Sequence, residues 1–204
     1  MPYSQFTSVG KVKETFQLRT IEGVRFLPEL EPITPSETLL NYLAESLPVA
    51  IATGSEKARS EGIVYPVLLE VRRLLNREIS LFSGEDFTVD ESVGLNGVCD
   101  FLLSRSPEQL DIETPAVIII EAKKADLKSG LGQCIASMIA AQRFNEAKNR
   151  SIPTIYGSVS NGSQWRFIQL QGSIVTIDLA DYPLPPVDQI LAFLVFMAQN
   201  CALN

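Results

Sequence analysis

Three charged residues fall in or beside apolar runs: Asp100 in Gly97-Val-Cys-Asp-Phe-Leu-Leu103, and Glu121 and Lys123 in Ala116-Val-Ile-Ile-Ile-Glu-Ala-Lys-Lys124. Val117 to Ile120 is continuously apolar and β-branched, the pattern of a strand buried on both faces. Side chains alternate along a strand, so Glu121 and Lys123 share one face and Ala122 points to the other. Charges at the end of a buried strand are costly unless they pair or bind something. If the two runs form a hairpin across the polar stretch 104–114, Asp100 comes beside Glu121, and two carboxylates and a lysine converge. The chain has no histidine. That removes imidazole acid–base chemistry and most transition-metal sites, so a metal bound here would be a hard cation with oxygen ligands.

The surrounding pattern supplies elements to hold these residues. Ser36 reads as the N-cap of a helix to about Ser46, ended by Pro48. Ser55 opens a second helix to about Asn76, its apolar stripe formed by Val64, Val67, Leu68, Val71, Leu74 and Leu75, with Pro66 as a kink or irregular first turn. Glu61 and Glu70 lie on the rims of that stripe. A strand interrupted at Gly84-Glu-Asp86 spans Ile79 to Val93, and the strands of Asp100 and Glu121 follow. A helix from about Leu127 to Lys148 carries Gln133, ten residues beyond Lys123. Ile152 to Gly157 is the next strand. Ser160-Asn-Gly-Ser163 signals a hairpin into Trp165 to Leu170, and Ile174 to Asp178 is a last strand. Residues 1–35 read as one or two strands or an extended arm. The final helix, about Val187 to Cys201, is apolar nearly all round and must be covered by its own domain or by a second copy.

This layout resembles the PD-(D/E)XK, restriction-endonuclease-like nucleases. Asp100 matches the aspartate and Glu121-Ala122-Lys123 the (D/E)XK, with Cys99 where a proline usually stands. The order of elements from about 55 to 178 is similar to the αβββαβ core of that superfamily. Ser160-Asn-Gly-Ser-Gln-Trp-Arg-Phe167 resembles the hairpin of the N-terminal nuclease domain of type I restriction motor subunits. The resemblance implies an α/β fold: a mixed central sheet flanked by helices, in a single domain of N-terminal extension (1–54), nuclease-like core (55–178) and C-terminal helix (179–204). It implies Mg²⁺, with Mn²⁺ as substitute, held by Asp100, Glu121, the carbonyl of Ala122 and a first-helix glutamate, Glu61 in preference to Glu70. Lys123 would orient the attacking water, and Gln133 would steady Lys123 or a phosphate. The implied activity is phosphodiester hydrolysis of nucleic acid, DNA foremost. Two other readings stay open: a catalytically silent module of the same fold that binds nucleic acid or protein, and a plain structural ion pair at a strand end.

Composition bounds these readings. Two hundred and four residues, 46% hydrophobic and 20% charged, suit one globular domain. Three cysteines without Cys-x-x-Cys spacing argue against a disulfide framework or a structural zinc. A net charge of −7 is awkward for a nucleic-acid partner, but residues 57–80 hold five bases against three acids and 116–150 six against three. The basic excess thus flanks the proposed site. With no basic-then-apolar leader, and the greasy stretch Ile190 to Ala198 far short of the ~20 residues of a membrane span, the expectation is a cytoplasmic protein without a membrane partner. No Gly-x-x-x-x-Gly-Lys-Ser/Thr loop is present, so a motor or specificity subunit would be a separate chain, and the apolar last helix suggests a homodimer.

Overall fold

A computed structural model describes residues 2–200. The fold is α/β, built on one mixed eight-stranded sheet flanked by helices. Its strands run in the order β1-β7-β6-β5-β4-β3-β2, with β8 (Tyr182–Pro183) paired to β6. β2 (Ser80–Asp86), β3 (Val98–Ser104) and β4 (Ala116–Ala122) form an antiparallel meander. β4 then runs parallel to β5 (Ile155–Ser160), and the crossover that a parallel pair needs is helix α5 (Lys128–Ala147). β6 (Gln164–Gln171) and β7 (Ile174–Ile177) continue antiparallel.

All seven residues of β4 are buried, as its unbroken apolar run predicts. α5 and α6 (Asp188–Gln199) both pack on it. The start of the strand is clamped by Asn145, whose Oδ1 accepts from the Ala116 N–H and whose Nδ2 donates to the Ala116 carbonyl, both at 2.8 Å. The apolar last helix is covered by its own chain: Ile190, Leu191, Phe193, Leu194 and Met197 are all buried, and α6 packs on α4 (Tyr65–Leu74). Among the described residues, most of the apolar face that suggested a homodimer is covered by the chain itself, with Val195 and Phe196 half-buried. Cys201, the expected end of that helix, lies outside the described residues.

Three expectations need correction. Residues 1–35 are not a plain extended arm. They contain helix α1 (Val9–Phe16), capped by the Ser8 hydroxyl and packed on α5, and β1 (Arg19–Glu22), parallel to β7 at the sheet edge. Pro48 does not end its helix; α2 runs Glu37–Thr53 to a left-handed C-cap at Gly54, because Ala50, beyond the proline, is buried against Gly62. The helix expected from Ser55 is three pieces: α3 (Glu56–Arg59), a π-helical turn Ser60–Val64, and α4. Pro66 has no N–H to offer the carbonyl of Gly62, four residues back, and the Ser46 hydroxyl donates to that carbonyl instead at 2.6 Å.

Candidate active site

The end of β4 brings the sequence-predicted trio together. β3 and β4 pair Phe101 with Ile120, and one step further along that register Asp100 faces Glu121. Directly opposed residues of an antiparallel pair project to the same face. The Ala122 N–H donates to Asp100 Oδ2 at 2.8 Å, which fixes the aspartate against the tip of β4. Lys123 Nζ lies 2.6 Å from Glu121 Oε1. The lysine reaches back along the face it shares with Glu121, as strand alternation requires. Its own N–H donates to the Ser160 carbonyl at 2.8 Å, extending the β4–β5 ladder by one rung.

Burial sets the electrostatics. Glu121 is 1% exposed, and the Lys123 ammonium is the charge partner of its Oε1. Burial first, then the charge of Asp100, push its carboxyl up to about 8, against the pull of Lys123. Burial likewise raises Asp100, opposed by the Ala122 N–H and by Lys123. For Lys123, burial works against the charged form, but Glu121 outweighs it and the ammonium pKa rises. Burial thus favours the protonated form of both carboxyls, while Glu121 favours the charged form of Lys123. Cys99 and Cys134 are free and buried nearby, and burial pushes both thiols well above their usual range, which disqualifies them as nucleophiles.

The remaining expected site residues divide. Ala122 is in position, its N–H on Asp100. Gln133 is half-buried on α5 and makes no hydrogen bond to Lys123; it follows by one turn Gly130, where a Cβ would stand 2.9 Å from Lys123 Cγ, so the lysine stem lies directly on this helix. Glu61 does not reach the trio. Its side chain is 67% exposed and pairs with Lys57 at 3.5 Å. Glu70 is buried elsewhere, accepting from the Ser36 N–H at 2.8 Å and from Arg73 Nη2 at 2.6 Å, and so ties α4 to the start of α2.

The acid that sequence reasoning missed is Glu56, the first residue of α3. Its charge raises the pKa of Asp100, Glu121 and Lys123 alike. The available signal was Pro66, since a proline inside a helical pattern marks an irregular turn before it, and a π turn shifts the phase of everything on its N-terminal side.

Two facing carboxylates, one of them fully buried, form an oxygen-donor set of the kind suited to a hard divalent cation. Among the described residues no group of three or more His, Cys, Asp or Glu side chains is arranged to hold a metal. The fit therefore rests on Asp100, Glu121 and backbone oxygen, with Glu56 close enough to be felt. Among the described residues no helix is long and apolar enough to cross a membrane. Compared with known proteins, the chain matches no family model, no curated protein and no solved structure.

Proposed function

We propose that the chain is a metal-dependent phosphodiesterase acting on nucleic acid, DNA foremost, through a PD-(D/E)XK-type site. The observation that carries this reading is the meeting of Asp100, Glu121 and Lys123 at one buried strand end, with two carboxylates facing one ammonium. A structural ion pair needs one acid for one base. Here a second acid is held against the first, at a cost in burial that a bound cation would offset.

Asp100 and Glu121 would hold Mg²⁺ or Mn²⁺ with the Ala122 carbonyl, and Glu56 is the next carboxylate at hand. When bound, the ion supplies charge neutralisation at the phosphate and lowers the pKa of water. Lys123 would present its ammonium to the attacking water and to the charge growing on the phosphate oxygens. Metal ligation requires ionised carboxylates, so binding would release the proton that burial favours on Glu121. Gln133, one turn beyond the Gly130 that meets the Lys123 stem, would hold a phosphate oxygen.

The test is cleavage of end-labelled DNA and RNA by the wild-type chain with Mg²⁺, Mn²⁺ or chelator, beside Asp100→Asn and Lys123→Ala. The expected result is metal-dependent cutting, lost in both variants, with Mn²⁺ binding lost only in Asp100→Asn. A chain that binds Mn²⁺ and nucleic acid yet cuts neither polymer would favour the silent module.

A further inference from the structure

A groove of about 540 Å³ runs between α2 and α4, a volume in the range of small-ligand sites, and its lining is mainly apolar. Tyr42 of α2 and Tyr65 of α4 both line it, 48% and 39% exposed. Among the described residues neither side chain makes a hydrogen bond or a ring contact, so both aromatic faces are available.

Three arginines, Arg72, Arg73 and Arg77, line the same groove in a chain of net charge −7. Arg73 is matched by the buried Glu70, with hydrogen bonds of 2.8 Å and 2.6 Å. The other two are not matched. Arg72 donates from Nε to the Ile79 carbonyl at 3.0 Å, a neutral partner, and Arg77 is exposed with no ion pair among the described residues. The backbone at Arg77 is also strained. Asn76 and Arg77 both lie in the left-handed region, at φ +54° and +62°. Asparagine visits that region readily and arginine does not, while glycine would occupy it without strain. The chain thus keeps a strained arginine at the groove where a glycine would turn the end of α4 more easily.

Exposed aromatic faces beside unmatched guanidinium groups fit one ligand chemistry: an unstacked base on a tyrosine, with its phosphate on an arginine. A duplex keeps its bases in the stack and would leave the apolar lining unused. The groove is also apart from the trio. Arg72 ties it to Ile79, just before β2, and Ser80 of β2 pairs with Ser104. Ser104 is four residues along β3 from Asp100, roughly 13 Å at the rise of a strand.

We infer that the α2–α4 groove is a second nucleic-acid contact that takes a single strand, with bases on Tyr42 and Tyr65 and phosphates on Arg72 and Arg77. It rests on nucleic acid being the substrate, and it goes beyond the cleavage site by naming the strand state the chain prefers.

The test is fluorescence anisotropy of end-labelled single-stranded and duplex DNA of one sequence, with the intact chain in chelator so that nothing is cut. Wild type, Tyr65→Ala, Arg77→Gly and Asp100→Asn are compared. The wild type should bind the single strand more tightly than the duplex. Tyr65→Ala should weaken single-strand binding by about 5- to 150-fold, the range for one lost base stack, and leave duplex binding unchanged. Arg77→Gly should flatten the slope of log affinity against log salt by about 0.7, one phosphate contact on a single strand. Its melting temperature should not fall, because glycine relieves the left-handed position. Asp100→Asn should bind the single strand at least as tightly as wild type, since the groove lies elsewhere. Wild-type affinity in both groove variants overturns the inference, and is the outcome if the groove seats an acidic segment of a protein partner. A wild type that binds duplex as tightly as single strand overturns it too. A wild type that binds neither polymer overturns the nucleic-acid reading and this inference with it. Single-strand binding that the groove variants lose, in a chain that cuts nothing with Mg²⁺ or Mn²⁺, overturns the hydrolytic reading and keeps the groove.

Discussion

Replacing Glu121 with glutamine should make the metal-free protein more resistant to alkali. Below about pH 4.5 the Glu121 carboxyl is protonated in folded and unfolded chains alike, and it contributes no pH dependence. Between there and about 8 the unfolded chain has released that proton while the folded chain keeps it, because burial and Asp100 push the carboxyl up to about 8. The folded state then binds one proton more, so stability falls as pH rises. For one proton with a folded pKa of about 8, the loss between pH 6 and pH 9 is about 3 kcal/mol. Glu121→Gln removes this loss and leaves Asp100 to balance Lys123. Urea denaturation in chelator, followed by the fluorescence of the single buried tryptophan, Trp165, reads the difference. The wild type should lose about 3 kcal/mol more than the variant across that pH range, equivalent to about 6–12 °C in melting temperature. If Glu121→Gln instead costs about 3–5 kcal/mol at both pH values, the site is an ordinary buried ion pair with its lysine left unpaired, and the reasoning fails.

Further outcomes follow from other contacts. Glu70 is held below the usual carboxylate range, first by Arg73 and then by Ser36 against the opposing effect of burial, so its stabilisation is present above about pH 4.3 and is lost as pH falls through its lowered folded value. Glu70→Ala should cost about 1–3 kcal/mol at neutral pH, and denaturation curves at pH 7 and in acid would show the difference shrinking. Ser46→Ala removes the hydroxyl that satisfies the Gly62 carbonyl ahead of Pro66, and should lower stability by about 1–2 kcal/mol in urea titration. Gly132→Ala would set a Cβ 2.4 Å from the Phe6 carbonyl oxygen and 2.7 Å from that of Ser8, both backbone, so α1 must move off α5; thermal melting should report a loss of about 1–3 kcal/mol.

The trio was legible because strand alternation is a short-range rule. Glu121 and Lys123 are two residues apart on one strand, and Asp100 needed only the adjacent hairpin to reach them. α5 was legible to within a residue or so, since its small residues and apolar positions keep helical spacing over five turns. The first-helix acid was not legible, because the apolar stripe from Val64 to Leu75 was carried backward at 3.6 residues per turn through what is a π-helical turn. That error of phase turned Glu61 towards the sheet, where the structure has it exposed and paired with Lys57. α1 was hidden for another reason: eight residues with a glycine at the second position make a weak helix signal, and its stability comes from packing on α5. The cover over α6 was invisible because it comes from α4 and β4, far away in the chain.

The most direct test of the central claim is the anomalous scattering of Mn²⁺ in crystals of the wild-type chain soaked with the ion. The account predicts one strong peak between Asp100 and Glu121, bonded to oxygens of both carboxylates, with the Lys123 ammonium moved off Glu121. A fully ordered site with no peak there at millimolar Mn²⁺, and Lys123 still seated on Glu121, would contradict it.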